Sequence, residues 1–250
     1  MSSRFQELDW RPTPMGELVL RRRRDVTMDR DVLEIKLGDE FLMSNLFTVA
    51  EVELARRGLA ELTGPDLDVV VGGLGLGYTA QTVLADPRVH SMVVVDALEA
   101  VIEWHRDGLI PTEPELTSDR RCTFVHGNFF ALLRSPGGLD PAAPGRRFHA
   151  ILVDIDHSPR HLLHPSHGSF YAPEGLRHLA GWLHPGGVFG LWSNDPPDEE
   201  FLAALASAFA QTRADIITFA NPLQGKEATA TVYLASTATD TPRGGRRSRL

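Results

Sequence analysis

The stretch that most constrains this chain is Val69-Val70-Val71-Gly72-Gly73-Leu74-Gly75-Leu76-Gly77. An apolar run of strand-forming residues gives way to closely spaced glycines, and residues 78–84 then read as a helix. A glycine turn between a strand and a helix lets the backbone bend sharply and approach a ligand. The following helix offers unpaired N–H groups at its start. A second apolar strand, residues 91–95, ends at Asp96. A carboxylate at that place can accept the hydroxyl protons of a ribose.

A dinucleotide site would favour Gly-x-Gly-x-x-Gly and direct the helix dipole at a pyrophosphate. Here Gly73, Gly75 and Gly77 have Gly-x-Gly-x-Gly spacing. Gly127 and Asn128 follow a third strand, residues 122–125, where Asn128 is placed to meet an adenine edge. This layout favours an adenosyl-sulfonium ligand of the S-adenosylmethionine type, with Gly73, Gly75, Gly77, Asp96 and Asn128 as its binding residues.

Around these motifs, buried-type strands alternate with amphipathic helices. Strands are expected at 67–71, 91–95, 122–125, 148–153 and 188–192. Helices are expected at 48–62, 78–84, 97–106, 129–134, 173–183 and 199–210. In the first helix, Thr48 and Glu51 have capping-box spacing. Residues 216–219 and 229–235 read as a closing antiparallel pair. The pattern predicts an α/β fold: a Rossmann-like, doubly wound, mostly parallel sheet with an antiparallel C-terminal strand pair. A small N-terminal β-hairpin or meander, with strands at 16–22 and 32–37, precedes it. The expected division is a β region over 1–47, an adenosyl-binding domain over 48–236, and a basic, disordered tail over 237–250. The run Arg21 to Arg24 reads as a solvated strand end, with an anion or partner contact as the alternative.

With 250 residues and 42% hydrophobic content, the chain is large enough for one substantial core. No apolar run reaches the roughly 20 residues of a membrane span, and residues 1–10 are polar. The protein is therefore expected to be soluble and cytoplasmic, with no membrane partner. A net charge of −8 argues against a nucleic-acid partner and is compatible with a small cationic substrate. The one cysteine, Cys122, has no partner for an internal disulfide and reads as a buried strand residue.

Taken in order, several motifs resemble those of the spermidine synthase family, the aminopropyltransferases that share the class I methyltransferase fold. They are Asp39-Glu40-Phe41, the glycine turn, Val94-Val95-Asp96, Val125-His126-Gly127-Asn128, Ile151-Leu152-Val153-Asp154, Phe170-Tyr171 and Leu183-His184-Pro185-Gly186-Gly187. The resemblance spans residues 16–236. It implies in-line transfer of an aminopropyl group from decarboxylated S-adenosylmethionine to a polyamine. It places Asp154 as the carboxylate that accepts the amine proton. It sets Asp156, Tyr171 and Glu51 among the substrate-binding candidates, to which the histidine loop described below adds His157, and it implies a homodimer.

The chain also departs from the family pattern. Gly75 stands where the family usually carries an aspartate for the aminopropyl amine, and Asn128 stands for an aspartate. Asp156 follows Asp154 at altered spacing, and Glu51 falls later than the family's glutamate. These departures keep two alternatives open: a methyltransferase using intact S-adenosylmethionine, and a non-catalytic adenosyl-binding homologue. His157, His161, His164 and His167 lie in a loop interrupted by Pro159 and Pro165. The loop reads as a polar lid, with His157 the best placed to touch substrate, and no metal is expected. Tyr171 and Trp192 read as core or cleft-wall aromatics.

Overall fold

A computed structural model describes residues 5–113 and 115–239. The expected tail over 237–250 therefore lies largely outside the described residues. Residues 237–239 are placed, and Thr237 N–H donates to Gly187 O at 3.0 Å.

The N-terminal part is larger than a hairpin. It is a four-stranded antiparallel meander of β1 (Phe5–Thr13), β2 (Gly16–Asp25), β3 (Arg30–Leu37) and β4 (Glu40–Ser44). Strand β1 escaped the sequence reading because all its residues are exposed or only half-buried, so it lacks an alternating apolar face. The arginine run on β2 is neutralised from neighbouring positions. Arg21 and Arg23 donate to the two carboxylate oxygens of Glu34 at 2.7 and 2.6 Å, and Arg24 pairs with Asp29. Leu18, Leu20, Leu33, Ile35 and Leu37 form the buried face of this sheet.

The main sheet has seven strands in the order β10-β11-β9-β8-β5-β6-β7. Its parallel strands are β5 (Leu67–Gly72), β6 (Val89–Asp96), β7 (Cys122–His126), β8 (Phe148–Val153) and β9 (Leu183–Ser193). Strands β10 (Gln211–Asn221) and β11 (Lys226–Ser236) form the antiparallel pair, with β11 against β9. Both are longer than the apolar segments that announce them, since backbone pairing extends them into polar sequence.

The chain builds outward from β5 to β7, then returns to the other side of β5 with β8. The order therefore reverses between β5 and β8, and open α/β sheets hold ligands in the crevice at such a switch point. Alternation along β5 serves two layers. Val69 and Val71 join a core with α1 (Val49–Ala60), α2 (Tyr78–Ala85), α3 (Glu99–Arg106) and the meander. Val70 joins the opposite core with α4 (Phe129–Arg134), α5 (Gly168–Tyr171), α6 (Pro173–Ala180) and α7 (Glu199–Ala206).

Four helices, α1, α3, α6 and α7, are shorter than expected, the last two by three and four residues. Helix α6 stops at Ala180 because Leu183 already belongs to β9, and α7 ends at Ala206, before a turn into β10. Cys122 lies in β7 and is only half-buried, with burial pushing its thiol up to about 12. Among the described residues, no helix is long and apolar enough to cross a membrane.

Candidate functional site

A cleft of about 130 Å³ opens at the switch point. Its floor is made by the ends of β5, β6, β7 and β8 with the first turn of α1, and its roof by the meander and β9.

At the ends of β5 and β6, Asp96 ties the glycine loop to the next helix. Its Oδ2 accepts from Leu74 N–H at 2.8 Å, and its Oδ1 accepts from Leu98 N–H at 2.8 Å. Burial pushes this carboxyl up, while the amides of Leu74, Leu98 and Gly75 pull it back down. Beyond these amides the carboxylate keeps lone-pair capacity for a ligand hydroxyl. Asn128 caps α4, its side-chain oxygen accepting from Ala131 N–H at 3.0 Å, which leaves its NH2 and one lone pair free. Val95, Ala97, Leu98, Val101 and the Phe129 and Phe130 rings complete an apolar slot.

The expected glycines divide in position. Gly73 and Gly75 line the cleft, whereas Gly77 sits behind it as the left-handed N-cap of α2. Their conformational freedom also serves tertiary packing. Gly73 has φ +92°, and a Cβ there would lie 2.1 Å from the carbonyl oxygen of Asp154. At Gly75, φ +47°, a Cβ would lie 2.3 Å from Met43 Sδ, which also accepts from Leu76 N–H at 3.0 Å. The meander thus reaches into the glycine loop through Met43, a contact with no signal in the sequence.

Two carboxylates share the floor. Asp154 follows β8, and its Oδ2 accepts from Thr79 Oγ1–H, in the first turn of α2, at 3.0 Å. Glu51, in the first turn of α1, is buried at 7% exposure. Burial raises the carboxyl of Glu51, and the charge of Asp154 raises it further. Burial also raises Asp154, but the Thr79 hydroxyl opposes the rise. Both carboxyls are thus held above the usual carboxylate range, and the pair gives up its protons less readily than two solvated acids would. The capping-box role expected of Thr48 and Glu51 is absent, since Thr48 makes no side-chain cap bond and Glu51 lines the cleft instead.

Asp156 and Tyr171, expected to contact substrate, do not line the cleft. Asp156 is 1% exposed and accepts from Leu163 N–H at 2.7 Å, from His167 Nδ1 at 2.9 and 3.1 Å, and from Tyr171 OH at 2.8 Å. Burial and the Asp156 charge push the Tyr171 hydroxyl well up, so it stays a donor. The altered spacing after Asp154 turns Asp156 inward, where it braces the histidine loop.

His157 does line the cleft, half-buried, with its Nε2 3.8 Å from Glu40 Oε2. His167 also lines it, with its ring 4.1 Å from that of Phe130. The other two histidines take separate partners: His161 pairs with Asp195 at 3.0 Å, and His164 caps the short turn at Pro165–His167.

The remaining wall is apolar: Met15, Ile35, Leu37, Leu42, Met43 and Trp192. Trp192 Nε1 is buried with no hydrogen-bond partner. The sequence reading missed Thr79 and His167 as site residues. Thr79 carries a weak signal, a hydroxyl in the first turn after the glycine loop.

No protein-family model matches the chain, and no curated protein matches it. Solved structures do. Spermidine synthase from Thermotoga maritima aligns with a TM-score of 0.69 at 18% identity, over 94% of this chain and 73% of that one. A spermidine synthase in complex with the transition-state analogue AdoDATO aligns with a TM-score of 0.70 at 19% identity, over 94% and 75%. A probable spermidine synthase from Corynebacterium glutamicum aligns with a TM-score of 0.62 at 16% identity, over 92% and 79%. The fold is thus that of the spermidine synthases: a methyltransferase-like α/β sheet preceded by an antiparallel meander.

Proposed function

We propose that this chain is a spermidine synthase-like transferase that moves an aminopropyl group from decarboxylated S-adenosylmethionine to an amine. The observation that carries this reading is the carboxylate pair, Asp154 with Glu51, facing the Asp96–Asn128 cradle across one cleft. The residues present suit the nucleoside. Asp96 retains ribose-facing lone pairs, Asn128 retains an amide for a base edge, and the slot between them is apolar.

When bound, the sulfonium supplies a methylene activated for displacement. The protein's part is to position and deprotonate the acceptor. An amine arrives as an ammonium and cannot attack until it loses a proton. Asp154 takes that proton, and its raised basicity suits the transfer.

Calorimetry and product analysis test this reading. Decarboxylated S-adenosylmethionine is expected to bind, and methylthioadenosine is expected to form when an amine is added. Binding without turnover across a broad amine panel would favour a non-catalytic adenosyl-binding homologue. A second reading, methyl transfer from intact S-adenosylmethionine, draws support from Gly75, because Met43 Sδ fills the place of a loop side chain. Tighter binding of the intact compound would favour it.

A further inference from the structure

A polyamine carries at least two ammonium groups, and a buried cation needs an anion or several acceptors to replace its water. The acidic groups near this cleft are few, and most are committed. Asp96 binds the amides of Leu74 and Leu98. Asp156 is enclosed behind the wall by three donors. Glu40 is an exposed rim residue beside His157. Only Glu51 and Asp154 remain on the floor, side by side in one cleft that burial makes unfavourable for two negative charges. The histidines facing the cleft are His157, beside the rim residue Glu40, and His167, whose Nδ1 is turned to Asp156; neither carries a negative charge.

Away from the carboxylates, the surface contributed by the meander and β9 is hydrocarbon and indole. Ile35 and Leu37 come from β3, Leu42 from β4 and Trp192 from β9. An ammonium placed there would find no counter-ion, whereas an alkyl or aryl chain would leave water at no polar cost.

We infer that the acceptor is a primary monoamine with an apolar alkyl or arylalkyl body, its nitrogen at Asp154 and its chain along Ile35, Leu37, Leu42 and Trp192. This rests on the alkyl-transfer reading and specifies its acceptor. Asp154 takes one proton from the bound ammonium. The freed nitrogen lone pair forms the N–C bond, and the C–S bond pair returns to sulfur. A secondary ammonium and a neutral thioether leave, and Asp154 releases its proton to solvent.

The test uses the full chain with methylthioadenosine present to fill the nucleoside side. Hexylamine, phenethylamine, putrescine and spermidine are titrated by calorimetry. The same amines are assayed for methylthioadenosine release from decarboxylated S-adenosylmethionine. Hexylamine or phenethylamine is expected to exceed putrescine about tenfold or more in affinity and in kcat/KM. Equal or better performance by putrescine or spermidine overturns the inference, as does failure of every monoamine to bind. Failure of the decarboxylated compound itself to bind, with monoamine binding retained, sinks the alkyl-transfer reading instead. Leu42→Glu places a second carboxylate on the apolar wall and is expected to shift preference toward putrescine about tenfold. Leu42→Gln is the control, and thermal denaturation checks that both fold. An unchanged preference in folded Leu42→Glu overturns the placement of the chain.

Discussion

The two sides of the cleft are built from different materials. The side proposed for the nucleoside is a short-range device: β5, its glycine turn, Asp96 and Asn128 occupy successive strand ends, and backbone amides do much of the organising. The side proposed for the acceptor is assembled from five segments, namely β3, β4, α1, the end of β8 and β9, and side chains define it. A cradle made of main chain holds its shape whatever the neighbouring side chains are. A wall made of side chains can change chemistry with few substitutions while the fold stays the same. Specificity is therefore expected to reside on the acceptor side and ligand class on the nucleoside side.

Four variants would break or sharpen this division. The largest effect is expected from Asp154→Asn. Losing the proton acceptor should lower kcat by about 10²–10⁴-fold, with nucleoside affinity nearly unchanged by calorimetry. An equal loss of both would place Asp154 on the nucleoside side.

Next is Gly73→Ala, whose new Cβ would meet the Asp154 carbonyl oxygen while the backbone keeps a left-handed φ. Strain and displacement together should cost roughly 3 kcal/mol in chemical denaturation. Wild-type stability would show that the loop can move away from β8.

Asp96→Ala should weaken methylthioadenosine binding at least about tenfold, close to 1.4 kcal/mol. Monoamine affinity measured without nucleoside should stay the same. If the amine affinity falls with it, the two sides are not separable.

The smallest effect concerns Glu51. Both floor carboxyls are raised above the usual range, so the folded state keeps protons that the unfolded state releases. The resulting stability is fully present below the ordinary carboxylate range and is lost as pH rises through the raised values. Glu51→Gln removes one such group. It should melt roughly 2–4 °C above the wild type at pH 9 and close to it at pH 4. A constant offset across pH would show that Glu51 does not titrate in this manner. In the wild type, the same elevation should move the acid limb of kcat/KM above the ordinary aspartate range.

Much of the local structure at the ends of β5, β6 and β7 was legible in advance. The strand-turn-helix around Gly73, the strand-end Asp96, and Asn128 after β7 all depend on periodicity and local turn chemistry. Those are properties of contiguous residues. Asp154 and Glu51 could be picked out singly, but not their proximity, because α1 and β8 lie about 100 residues apart in sequence. Asp156 and Tyr171 were misplaced for a related reason. Which way a carboxylate turns after a strand depends on who donates to it, and here the donors are His167, Tyr171 and Leu163 N–H. Strand β1 gave no apolar alternation to read, because it gains order by pairing with β2 and by its Asp9 contact with Trp104 Nε1 at 2.7 Å.

By itself, the sequence determined the layer architecture, the order of the β–α units and the chemistry at the ends of β5, β6 and β7. These follow from backbone hydrogen bonding and hydrophobic period, which act over a few residues at a time. Tertiary structure decided that Met43 occupies the space above Gly75, that Glu51 and Asp154 meet in one buried cleft that raises both, and that the wall opposite them is apolar. Those outcomes depend on desolvation and on contacts between segments far apart in the chain, and neither exists until the meander closes over the sheet.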